Sequence, residues 1–256
     1  VGWGGVGGGA GWAGEAGRVW FGVGGVGGGA ECVCGDTYAG LGASGSGLTP
    51  RDFRMYVHDV RLVTADGSEV AVALDDDNRF QNGEVVLLDF ENGCGDMGNA
   101  DLNTTVRGRA PAGDYTGLRF RIGVPEELNH ADPTLADPPL NLTAMWWNWN
   151  GGYKHIRLDA VSSSFDGWRL HLGSTGCDGD MMGTASCTTA NRPDIQLTGA
   201  DPRNGTVQLD VAALVTGSTL MNTDETPPGC MSAPMDMDCA PLFRELGLAF
   251  GGASAT

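Results

Sequence analysis

Leu118, Phe120, Ile122 and Val124 alternate with Arg119, Arg121 and Gly123, and this spacing constrains the fold more tightly than any other feature of the chain. Successive strand side chains point to opposite faces, so a period of two describes a ribbon that is apolar on one side. The pattern recurs. Phe53, Met55 and Val57 oppose Arg54, Tyr56 and His58, while Trp168, Leu170 and Leu172 oppose Arg169, His171 and Gly173. Residues 84–90 read as a strand buried on both faces. Met145, Trp147 and Trp149 share one face of a further predicted strand, with Trp146 on the other. Val207, Leu209 and Val211 give a late strand, or one running into a turn. Turn chemistry separates the runs, as in Ala65-Asp-Gly67 and Pro111-Ala-Gly-Asp114. Only Pro241–Leu248 reads as a helix. The expected fold is all-β, an antiparallel β-sandwich with little helix.

A length of 256 residues suits one large β domain or two small ones, and a hydrophobic fraction of 41% supplies a core. Glycine is unevenly spread: 15 of the 43 fall in the first 30 residues, where Gly-Val-Gly-Gly-Gly-Ala occurs twice. The chain therefore divides into a glycine-rich N-terminal segment, 1–31, and a single β-sandwich domain, 32–256. The segment reads as a flexible leader with one edge strand rather than an interaction module. Fifteen Lys and Arg against 32 Asp and Glu give a formal charge of −17. The basic residues are scattered singly, so nucleic-acid binding is excluded. No apolar run approaches the roughly 18–20 residues of a transmembrane helix. The first residues carry no charged n-region followed by an apolar h-region. Any signal peptide is thus expected to be already removed or left out.

Cys177 and Cys187 lie ten apart and Cys230 and Cys239 nine apart, each flanked by turn residues. These spacings read as disulfide-closed loops in an oxidising compartment, periplasmic or secreted. Cys94 is expected to pair with Cys32 or Cys34, leaving one odd thiol. No CxxC or Cys/His spacing fits a structural zinc site.

The chain has no Gly-x-Ser-x-Gly elbow and no Ser or Cys beside an activating His. Asp75-Asp-Asp-Asn78 and Asp178-Gly-Asp180 are candidate calcium loops, although neither follows the EF-hand spacing. The four histidines, His58, His130, His155 and His171, suit copper or zinc where a sandwich brings two or three together. Met145-Trp-Trp-Asn-Trp149 places three indoles in four residues. Such a cluster serves as core, as a carbohydrate-stacking face, or as a target of oxidation.

Seven motifs then stand in order: 52–62 (DFRMYVHDVRL), 87–91 (LLDFE), 119–130 (RFRIGVPEELNH), 139–141 (PLN), 145–153 (MWWNWNGGY), 171–177 (HLGSTGC) and 229–232 (GCMS). Together they resemble the MbnP-type proteins, the metallo-mystery pair four-Cys motif family, over about residues 32–248. The resemblance implies a periplasmic or secreted copper binder, holding Cu(I) at one site. It also implies a partner, a MauG-like dihaem c-type peroxidase of the MbnH type, forming a stable complex with this chain. That partner oxidises a tryptophan to kynurenine, which joins histidines around the metal. On this view the chain is an enzyme's substrate, carries no haem and has no catalytic residues.

Carried over by position, His130 and His171 are the first expected ligands and His58 the third, with His155 the weakest. The oxidised residue is Trp147 or Trp149, between which spacing does not choose. The four family cysteines correspond to Cys177, Cys187, Cys230 and Cys239, and Cys32, Cys34 and Cys94 are additional. The competing expectation is a secreted carbohydrate- or protein-binding sandwich with a tryptophan platform and calcium loops.

Overall fold

A computed structural model describes residues 3–6, 18–27, 30–96, 98–164, 166–179, 185–199, 205–221 and 228–251. Its first sheet runs β1 (Trp3–Val6), β16 (Thr206–Asp210), β2 (Arg18–Gly27), β9 (Thr105–Arg109) and β7 (Ala73–Leu74), with β3 (Ala30–Glu31) on β2. The second runs β15 (Asp194–Thr198), β10 (Tyr115–Ile122), β5 (Ser46–Thr64), β11 (Ile156–Ser162), β12 (Asp166–Leu172) and β17 (Gly229–Cys230). The short strands β4 (Tyr38–Leu41), β6 (Glu69–Ala71) and β8 (Val85–Asp89) also pair with β5. A separate hairpin joins β13 (Thr175–Gly179) to β14 (Ala185–Thr189).

The all-β expectation holds, with two parallel pairings, β2 with β16 and β12 with β17. The glycine-rich segment contributes three strands, β1, β2 and the short β3, rather than one edge strand, and β2 lies inside its sheet. Residues 7–17 and 28–29 of that segment lie outside the described residues, as does Asp180 of the second acidic turn. Val207 and Leu209 end a strand that runs directly into α1 (Val211–Val215), capped by the Asp210 carboxylate on Ala213 N–H. The late helix, α2, spans Cys239–Glu245, starting two residues before the expected one.

Residues of both sheets meet in one core: Phe53, Met55, Leu158, Leu170 and Trp168 from the second, Val106, Val207 and Leu209 from the first. Full burial of each such side chain stabilises by about 1.5–3 kcal/mol. The opposite face of the second sheet is covered as well, by a smaller apolar cluster of Tyr56, Val85, Leu87, Val124, Met145 and Tyr153. This is why β8 is buried along its whole length. Beside that second cluster the same face becomes charged.

Candidate metal centre

On β5, β11 and β12, alternate residues turn to the core, and those between them turn to the outer face. Arg54, Arg157 and His171 stand in one cross-strand row, and Asp52, Asp159 and Arg169 in the next. All but Arg169 of these six are wholly or largely buried, so their charges must be paired. Asp52 chelates Arg54 and lies 3.2 Å from Arg157 Nε, and Arg157 Nη2 donates to Asp159 Oδ2 at 2.6 Å. Arg157 Nη1 also donates to Ala144 O at 2.8 Å.

His171 ends this chain of charges. Its Nε2–H donates to Asp159 Oδ1 at 2.6 Å, while Nδ1 is buried with no hydrogen-bond partner. Burial pulls the imidazole below its usual pKa, with Asp159 opposing. Burial would raise the Asp159 carboxyl, but the bond from His171 and the charges of His171 and Arg157 outweigh it and hold it well below the carboxylate range. A carboxylate on one ring nitrogen fixes the tautomer and leaves the other nitrogen with an uncommitted lone pair, as metal-bound histidines require. The orphaned Nδ1 thus fits a metal ligand.

The tryptophan motif is a loop rather than the expected strand. After a single 3-10 turn, Thr143–Met145, the chain reverses: Trp146 bridges Tyr153, Trp147 N–H donates to Gly152 O at 3.1 Å, and Gly152 N–H donates to Asn148 O at 2.9 Å. Gly152 sits at φ +67°, and a Cβ there would overlap Asn129, so the reversal requires glycine. Trp147, half-buried, packs its indole on Gly173 with its ring centroid 6.5 Å from that of His171. Lys154 braces the loop from beneath, donating to Ala144 O at 2.8 Å and Trp146 O at 3.4 Å.

Trp149, also half-buried, reaches a different histidine. Its carbonyl accepts the Nδ1–H of His130 at 3.0 Å, leaving Nε2 to accept from Asn129 Nδ2 at 3.1 Å. That Nε2 lies 3.2 Å from Cys187 Sγ, and the three possible ligand atoms of His130, Cys177 and Cys187 fall within 4.8 Å of one another. Cys177 is disulfide-bonded to Cys187 across the β13–β14 hairpin, so in the oxidised protein this group offers its nitrogen and not thiolates. The loop therefore touches both histidines expected first.

The other two histidines form a separate pair. His58 donates Nδ1–H to Gly123 O at 2.8 Å, and burial lowers its pKa to about 4. His155, wholly buried, packs against Gly123, and burial, then the charges of Arg192 and His58, hold it well below its usual value. His58 lies four residues along β5 from the row that carries His171, on the order of 13 Å at a strand's rise. In the first acidic turn Asp77 Oδ1 accepts the backbone N–H groups of Arg79, Phe80 and Gln81, and Asp76 Oδ1 that of Asn78. Those oxygens already serve the turn itself.

The remaining cysteines resolve as well. Cys34 pairs with Cys94 and Cys230 with Cys239, and Cys32 is the odd thiol, half-buried and raised to about 11 by burial.

The sequence profile of the MbnP family matches residues 20–232. The chain belongs to the MbnP family. Among solved structures, MbnP from Methylosinus trichosporium superposes with a TM-score of 0.81 at 29% identity, over 94% of this chain and 93% of that one. No curated protein sequence matches. The MbnP profile begins within β2 and ends at Ser232, so it takes in every histidine, the tryptophan loop and the charged row. Among the described residues no helix is long and apolar enough to cross a membrane. Sequence reasoning missed Asp159, whose own signal was only its place on the polar face of Ile156-Arg-Leu-Asp159.

Proposed function

We propose that this MbnP-family protein binds one copper ion, as Cu(I), at His171 and His130, and that a kynurenine made from Trp147 completes the site. The observation that carries the reading is the buried, unpartnered Nδ1 of His171 beside the Trp147 ring, with Asp159 holding the opposite nitrogen. Imidazole and an aryl amine are nitrogen donors suited to copper. Support for Trp147 over Trp149 is its ring contact with His171. The interaction of Trp149 with His130 runs through its backbone carbonyl instead. His58, with its own partner and its distance along β5, stands outside the proposed set.

The modification is the work of a partner, a MauG-like dihaem c-type peroxidase of the MbnH type, with which the chain forms a stable complex. Two equivalents of peroxide each deliver one oxygen and leave as water, which cleaves the ring bond between C2 and C3 to give the N-formyl amine, and hydrolysis by one water then releases C2 as formate. The partly exposed Trp147 is within reach of electron transfer to a docked partner. The acidic surface, with a formal charge of −17, suits a basic docking face. Three disulfides support a periplasmic or secreted location. The protein carries copper in acquisition or storage and catalyses nothing itself.

Peptide mapping across 145–157 on protein from its native host tests the reading. Gain of two oxygens and loss of one carbonyl adds about 4 Da at Trp147. An unmodified Trp147 in protein that has met its partner enzyme overturns the kynurenine, and Cu(I) affinity unchanged in both His130→Ala and His171→Ala overturns the site.

A further inference from the structure

Methionine is ordinarily a core side chain, as Met55 and Met145 are here, both fully buried. Four others are not. Of the seven large hydrophobic residues exposed at the described surface, four are methionines, and three of these, Met231 (38% exposed), Met235 (89%) and Met237 (72%), lie in one short loop. They contribute little to packing where they stand.

The loop is nonetheless firmly built. Cys230 and Cys239, both fully buried, close it with a disulfide, and turns bond Asp236 N–H to Ala233 O and Cys239 N–H to Asp236 O. Ser232, 2% exposed, donates its hydroxyl to His171 O at 3.0 Å and accepts Gly173 N–H at 3.0 Å. Its base is therefore attached to the end of β12 that carries His171 and supports Trp147. The register says the same. β17 runs parallel to β12 with Leu170 opposite Cys230, both turned to the core. The next positions along are His171 and Met231, on the other face. Met235 and Met237, two residues apart, have Cα atoms within about 7 Å of each other.

Thioethers are soft ligands that select Cu(I), need no deprotonation, and on a flexible stem adapt to the ion. Asp236 and Asp238, interleaved with the methionines, add negative charge that attracts a cation. We infer that Met231, Met235 and Met237 form a surface thioether site that takes a soft monovalent ion, Cu(I), and passes it to the histidine site beneath. The passing role rests on the reading of His171 as a copper ligand. Soft-ion capture by the loop does not.

The test separates the two. Full-length, disulfide-intact protein labelled with 13C at the methionine methyls is titrated with Ag(I), a redox-inert d10 ion, in wild type and in His171→Ala. The Met231, Met235 and Met237 resonances are expected to move together in both proteins, ahead of exposed Met221 outside the loop, and to do so whatever becomes of the histidine site. Resonances that stay put, or that move no sooner than Met221, overturn the loop site. Leucine keeps the volume, so Met231→Leu/Met235→Leu/Met237→Leu is expected to fold normally. In that variant Cu(I) transfer from a chelator should slow by about tenfold with the final affinity unchanged. An unchanged transfer rate, or a loss of final affinity, overturns the passing role.

Discussion

Asp159 and His171 sit diagonally across β11 and β12, joined by a 2.6 Å bond from Nε2–H to Oδ1. Asp159 is itself held by Arg157, so the carboxylate positions the imidazole without being free to leave it. Replacing Asp159 with Asn removes the charge but not the shape. Cu(I) affinity should fall about 10–100-fold, the usual effect of losing a ligand's outer partner. Competition titration against a Cu(I) chelator measures it, and His171→Ala should lose more.

Gly173 supports the Trp147 indole, and a Cβ at that position would overlap its six-membered ring. Gly173→Ala should therefore displace the indole, at a stability cost of about 1–3 kcal/mol. The mass gain at residue 147 should then become incomplete on exposure to the partner enzyme. Mass mapping reads the conversion, and urea unfolding reads the stability.

Burial lowers His58 to about 4 in the folded protein, against about 6.5 when unfolded. Between those values the unfolded chain binds more protons, so stability falls as the pH drops through this window. The loss attributable to His58 is on the order of 2–3 kcal/mol, with His155 and His171 shifted in the same direction. His58→Asn keeps a donor for Gly123 O and should flatten that part of the acid limb. Urea titrations of metal-free protein at pH 7, 5.5 and 4 provide the comparison.

Removing the Cys230–Cys239 disulfide by Cys→Ala at both positions should lower stability by about 3 kcal/mol, the chain-entropy value for so short a loop. Ser232 would then lose its fixed place against His171 O and Gly173 N. Hydrogen exchange at Gly173 N–H should quicken more than exchange at the β5–β11 ladder.

The strands were legible where alternation ran long enough, as in Leu118–Val124 and Trp168–Gly173. The tryptophan motif misled because three alternating residues are weaker evidence than the Asn148, Asn150, Gly151 and Gly152 that follow, which reverse the chain. The histidine partner was illegible for another reason. Pairing Asp159 with His171 depends on the register of β11 against β12, and that register shifts at Ala160 and Val161. Similarly, Cys32 and Cys34 carry equal claims on Cys94 in the sequence. The fold decides by setting Cys34 against Pro50 O, which Cys94 also contacts.

Arg157, Asp159, Arg169 and His171 occupy one parity of two paired strands, and Ile156, Leu158, Leu170 and Leu172 the other. A slip of one residue would send an imidazole into the core and put a leucine beneath Trp147. Packing thus proofreads the placement of His171. A chain that has mispaired these strands cannot present His171 beside its carboxylate, so the constellation proposed as the metal site exists only on molecules that have finished folding.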